Sequence, residues 1–341
     1  MVILDIGGGT TDIAIWKDDT PIWRNSVKIA GGHFFTSYLA NNISLLRDID
    51  LSDVAEGLSQ ASKLDEDGRR DFVELFVNKP NFNDKFASGF RRLSAAPLGE
   101  GLRQVAFVAL GGMMYYVGLV LRRLIESPDS PVKAADLSKV TVGFAGRGSS
   151  LFQQLSAGIP DDELEEVLKI AVRVATGDTG KISVSARFPG VDEAKHEVAK
   201  GLLVDVPASS TDQEQRFAIL GETITNGDQE RFSDTDELIG IKDLTDFDDI
   251  ELANIQNLLA ELRNAIGLSI DVTSRGALEE LRKRARSHLR TSLALLEDDA
   301  FEDRDAQPFE PPFILALREL IRFMTQEIAR RDEILQIKDV R

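Results

Sequence analysis

The chain has 341 residues, 43% of them hydrophobic and 28% charged, with a formal net charge of −17 and no cysteine. That length provides for about two domains with proper cores, while the missing thiols exclude disulfides and thiolate metal sites. The acidic balance argues against general nucleic-acid binding, which needs a basic surface to neutralise phosphates, and with no leader-like segment before the first strand pattern a cytoplasmic location is expected.

The first strand pattern begins at Val2. Val2, Ile3 and Leu4 deliver Asp5 and Ile6 onto Gly7, Gly8 and Gly9; Thr10, Thr11 and Asp12 follow, and the apolar run resumes at Ile13, Ala14, Ile15 and Trp16. This reads as strand, tight turn, strand. Three successive glycines let backbone N–H groups face one concavity without Cβ obstruction, which suits phosphate oxygens, and the threonines add hydroxyl donors. A P-loop is excluded because no lysine and hydroxyl residue follow the glycines, and a dinucleotide fingerprint because no G-x-G-x-x-G opens a helix.

The run L-D-I-G-G-G-T-T-D-I-A-I resembles the second phosphate-binding hairpin of the actin and heat-shock-chaperone ATPase superfamily. The resemblance implies ATP and Mg²⁺ as cofactors. It gives Asp5 a catalytic place near the attacking water, and near Mg²⁺ through water, with Asp12 as the motif's trailing acid. Gly7, Gly8, Gly9, Thr10 and Thr11 would wrap the β- and γ-phosphates. Members of the superfamily carry a further phosphate loop in a preceding domain, so the resemblance also implies a C-terminal half that binds ATP weakly by itself.

Residues 21–30 alternate loosely as another strand and run into Gly31-Gly32-His33-Phe34-Phe35-Thr36. This segment resembles the G-G-x-x-F/I-T stretch of bacterial actins and chaperone ATPases, where the glycines, here Gly31 and Gly32, open a helix close to the nucleotide. His33 has no partner pattern and reads as a hydrogen-bonded or solvated histidine rather than a base. Residues 41–100 are helical and charged, matching a variable inserted subdomain, and no adenine-contact motif is recognisable there. Residues 102–127 form a helix apolar on every side, which is either a membrane span or a buried core helix. Its apolar run falls short of the roughly 20 residues a span needs. Gly111, Gly112 and Gly118 would permit close packing, so buried core is expected and no membrane span.

Residues 140–152 read as a β-branched strand entering a glycine-serine turn and a helix. The turn, Gly146-Arg147-Gly148-Ser149, resembles the superfamily's adenosine motif, although Arg147 stands where a glycine is common. Residues 161–175 form an amphipathic helix with an acidic start, and 181–188 alternate as a strand. Residues 189–203, with Val198-Ala199-Lys200-Gly201-Leu202, resemble the last conserved helix. Beyond that come an acidic linker over 209–249 with a short strand at 217–220, and three helical stripes over 250–266, 277–296 and 313–337. The basic run Arg282-Lys283-Arg284-Ala285-Arg286 reads as a solvated face.

The expected fold is therefore α/β: an actin-like, ribonuclease-H-like second domain over 1–208 with a mixed sheet and a helical insertion near 41–100. A helical domain over 250–341 is expected to form separately and to carry a protein partner or self-association. The implied function is Mg-ATP binding and slow hydrolysis as a conformational switch. Its rivals are a catalytically silent pseudo-ATPase serving as sensor or scaffold, and a kinase of the same superfold.

Overall fold

The computed structural model describes residues 1–18, 20–42, 63–77, 97–127, 130–146, 148–149, 152–153, 161–177, 180–188, 225–226, 229–230, 244–267 and 312–339, with isolated positions between 276 and 287. The expected helix over 189–203, the strand at 217–220, Arg147, and most of the basic run and the middle C-terminal stripe lie outside the described residues.

The centre is a five-stranded mixed sheet of order β3-β2-β1-β4-β5, built from β1 (Val2–Ile6), β2 (Thr11–Lys17), β3 (Thr20–Val27), β4 (Val140–Ala145) and β5 (Val184–Arg187). The three N-terminal strands form an antiparallel meander, with Leu4 opposite Ile13 and Ile13 opposite Asn25. On its other side β1 runs parallel to β4, and β4 parallel to β5. Pro21 sits in β3, where a missing N–H is tolerated because β3 is the edge of this sheet. Period-two alternation sends Val2, Leu4, Ile6, Ile13, Ile15, Val142 and Phe144 to one buried face.

A π-helical turn (Gly32–Thr36) follows β3 and continues as α1 (Ser37–Asn41); α2 (Glu66–Val77) packs against both. α3 (Pro97–Glu126) is the long apolar helix, and α4 (Asp161–Thr176) belongs to the crossover from β4 to β5. A 3₁₀ turn (Ala134–Ser138) precedes β4 and is tied to β2 by Lys17, whose ammonium meets Asp136 at 2.6 Å and donates to the Pro131 carbonyl at 2.7 Å. A two-residue ladder joins β6 (Thr225–Asn226) to β7 (Gln229–Glu230), and α5 (Leu244–Ile266) and α6 (Pro312–Asp339) complete the described elements.

Among the described residues, one helix, over Gly99–Glu126, is by length and composition apolar enough to cross a membrane, and 94% of its apolar window is buried inside the fold. Tyr116 of α3 accepts a 3.0 Å bond from the Asn25 side chain of β3 and its ring lies 6.1 Å from Trp23. Its glycines admit close neighbours: a Cβ on Gly118 would stand 2.6 Å from the Ala175 Cβ of α4, and one on Gly111 would stand 3.1 Å from Leu262 of α5.

This arrangement corrects the expectation of a self-contained helical module over 250–341. Ile255, Leu258, Leu259 and Leu262 of α5, and Phe313, Leu317, Leu320, Ile321 and Met324 of α6, are buried in the same core as α3 and the sheet. Tyr115 of α3 stacks on Phe313 at 5.1 Å and donates to Asn254 at 2.9 Å, and Arg173 of α4 meets Glu261 of α5 at 2.9 Å. The reason is geometric. A helix apolar all round cannot be covered by one sheet face, and the C-terminal stripes supply the rest of its cover.

Candidate functional site

Parallel pairing brings the carboxyl ends of β1 and β4 side by side, with Asp5 opposite Ala145. The turn after β1 and the turn after β4, more than 130 positions apart in sequence, therefore share one end of the sheet. The carboxyl ends of parallel strands are where open α/β sheets bind ligands.

The β1–β2 turn is closed by the Gly7 N–H, which donates to the Thr10 carbonyl at 2.9 Å. Its outward carbonyls are held by the segment entering the π-helical turn: Gly31 N–H donates to Gly7 O at 3.1 Å and Gly32 N–H to Gly8 O at 2.8 Å. A trans peptide is planar, with its N–H antiparallel to its C=O. Fixing Gly7 O therefore aims the Gly8 N–H away from residues 31–32, and fixing Gly8 O aims the Gly9 N–H likewise. Among the described residues neither N–H has a partner, nor has the exposed Thr10 hydroxyl.

The glycines fall into two classes. Gly146 has φ +77°, and a Cβ there would collide with Asp5 Oδ1 and lie 2.6 Å from Ile6 O. A Cβ on Gly148 would lie 2.5 Å from Ile6 Cγ2 and 2.8 Å from Ile6 O, and one on Gly32 would lie 2.6 Å from Gly8 O. These three are required by the approach of the turns to one another. Gly8 and Gly9 differ: both are exposed, neither has positive φ, and a Cβ on either would meet nothing within 4 Å.

Two hydroxyls expected to face a ligand are used inside the fold. Thr11 is fully buried and donates to the Ile29 carbonyl at 2.5 Å, because it lies on the inward face of β2 with Ile13 and Ile15. Ser149 is also buried and donates to Gly146 O at 2.7 Å, closing its own turn. Gly31 and Gly32 likewise brace the β1–β2 turn with their N–H groups.

Asp5 and Asp12 are directly opposed across β1 and β2. Partial burial, and then the Asp12 charge, push the Asp5 carboxyl above the usual aspartate range. Two like charges at the foot of a turn rich in N–H donors make a place that a cation would relieve. Among the described residues no three His, Asp or Glu side chains gather to hold a metal.

His33 is engaged within the fold. Its Nδ1 accepts the Ala30 N–H at 3.2 Å, so the ring is neutral with its proton on Nε2. Burial, then the charges of Arg318 and Arg70, lower its pKa to about 4. The unfolded chain thus takes up a proton near pH 6.5 that the folded chain refuses until about pH 4, so stability falls as pH drops through that window. The loss should reach up to about 3 kcal/mol by pH 4. A His33→Gln variant should show a flatter melting profile between pH 4 and 6.5 than the native chain.

Local sequence contains no sign of Arg318, whose Nη1 donates to the Lys28 carbonyl at 3.2 Å across 290 positions. Comparison with protein-family models, with curated proteins and with solved structures finds no match to this chain.

Proposed function

We propose that the chain is an actin-like, heat-shock-like nucleotide switch that binds Mg-ATP with its phosphates on the turn 7–10, at the joint end of β1 and β4. The observation that carries this reading is the pair Gly8 and Gly9. Neither backbone angles nor neighbouring atoms call for glycine at these positions, and their N–H groups, aimed away from residues 31–32, have no partner among the described residues. Oxygens of a phosphate suit those donors.

Bound Mg-ATP supplies the transferable phosphoryl group and the cation. The chain's own contributions are distinct: Gly8 N–H, Gly9 N–H and Thr10 bind phosphate oxygens, and Asp5 orients water or hydrated metal, its basicity raised by burial and by Asp12. Gly146, Gly148 and Ser149 would face the nucleoside with backbone alone, because the Ser149 hydroxyl is engaged. The use of Thr11 and Ser149 within the fold also favours a second reading, nucleotide binding without turnover.

Gly8→Ala tests the first reading. At a position with ordinary φ and no neighbour within 4 Å, alanine should leave the melting temperature unchanged or raise stability by about 0.4–1 kcal/mol. Affinity for Mg-ATP by titration calorimetry should nevertheless fall tenfold or more, on the order of one lost charge-assisted hydrogen bond. Equal affinity in the two proteins would remove the turn from ligand binding.

Asp5→Asn separates binding from chemistry. If the chain hydrolyses ATP, phosphate release should drop by about a hundredfold while ATP affinity is largely kept. The raised pKa of Asp5 means that its ionised form opposes folding above the usual aspartate range, so the asparagine variant should melt at or above the native temperature at pH 7. An unchanged rate of phosphate release would take Asp5 out of the mechanism.

A further inference from the structure

The segment 28–33 grips the phosphate turn from outside, and three hydrogen bonds, one of them within the segment, fix it in turn. Thr11 Oγ1 holds Ile29 O at 2.5 Å, and His33 Nδ1 holds the Ala30 N–H at 3.2 Å. The third hold is long-range: Arg318 of α6 donates to Lys28 O at 3.2 Å. Around it, α6 lies along the same stretch, with Asn41 Nδ2 reaching Thr325 Oγ1 at 3.4 Å and Phe313 and Leu317 buried in the common core.

We infer that Arg318 is a positioning residue for phosphate binding, acting through the Lys28 carbonyl on the segment whose Gly31 and Gly32 N–H groups set the direction of the Gly8 and Gly9 N–H groups. The inference rests on the Mg-ATP reading above. Planar peptides transmit the constraint: a shift of residues 28–32 moves the Gly7 and Gly8 carbonyls, and each carbonyl carries the following N–H with it. Seating of the C-terminal helix and occupancy of the turn are then energetically linked, and the linkage runs both ways.

The test uses the full chain with Mg-ATP as probe, in native, Arg318→Ala and Arg318→Lys forms, well below their melting temperatures. Arg318→Ala should weaken Mg-ATP binding by about fivefold or more with a melting temperature near the native one. Arg318→Lys, which retains a donor long enough to meet one carbonyl, should recover most of the affinity. Saturating Mg-ATP should slow amide hydrogen exchange in residues 313–321 as well as in 7–10 of the native chain, and only in 7–10 of Arg318→Ala. Native-like affinity in Arg318→Ala, or protection confined to the turn in the native chain, would overturn the inference and leave the nucleotide reading standing. Failure of the native chain to bind Mg-ATP at any attainable concentration would overturn both.

Discussion

Removing residues 250–341 is expected to abolish cooperative melting and leave a chain that aggregates. The deletion takes away most of α5 and all of α6, and with them Leu258, Leu262, Phe313, Leu317, Leu320 and Met324, which are all buried in the core shared with α3. Burying each such side chain contributes about 1.5–3 kcal/mol, so six of them, roughly 9–18 kcal/mol together, are comparable with the about 5–15 kcal/mol that holds a typical domain folded. The damage does not stop at lost burial. The flank of α3 around Gly111, Gly112 and Tyr115 would face water as a continuous apolar strip, the kind of surface that drives association. Circular dichroism melts and light scattering on the truncated chain would measure both effects. A sharp transition from a monodisperse truncated protein would show that 250–341 is separable after all.

The sequence reading and the fold part company at an identifiable physical boundary. The acid, glycines and threonines of the first turn are contiguous, so local chemistry suffices to read a strand, a tight turn and a strand there. The all-round apolarity of α3 likewise requires burial wherever the helix sits. The stripes of α5 and α6 are equally visible, but a 3.6-residue period tells which face is apolar and not what that face meets; the demand for cover came from α3, far away in sequence. Thr11 was legible in principle. It shares the parity of Ile13 and Ile15, so strand alternation alone places its hydroxyl inward, whereas a motif read as a string treats Thr10 and Thr11 as equivalent. The pairing of β1 with β4 follows from tertiary topology, and so does the distinction between glycines that admit a neighbouring turn and glycines that leave space empty.

That distinction yields the sharpest contrast among single substitutions. Gly146→Ala is expected to destabilise the protein by about 2–4 kcal/mol, whereas Gly8→Ala is neutral or stabilising. Two costs combine at Gly146. An L-residue held at φ +77° is disfavoured by about 1–2 kcal/mol, and the added Cβ would press on Ile6 O, a backbone atom of the central strand β1 that cannot withdraw freely. Relief requires parting the ends of β1 and β4, which widens the site. Gly146→Ala should therefore lower the melting temperature by several degrees and weaken Mg-ATP binding together, while Gly8→Ala weakens binding alone. Thermal melts and calorimetry on the two variants, run side by side, would check the contrast. If Gly146→Ala melts with the native protein, the close approach of the two turns is not what fixes glycine at position 146, and the joint end of β1 and β4 loses its claim to be one site.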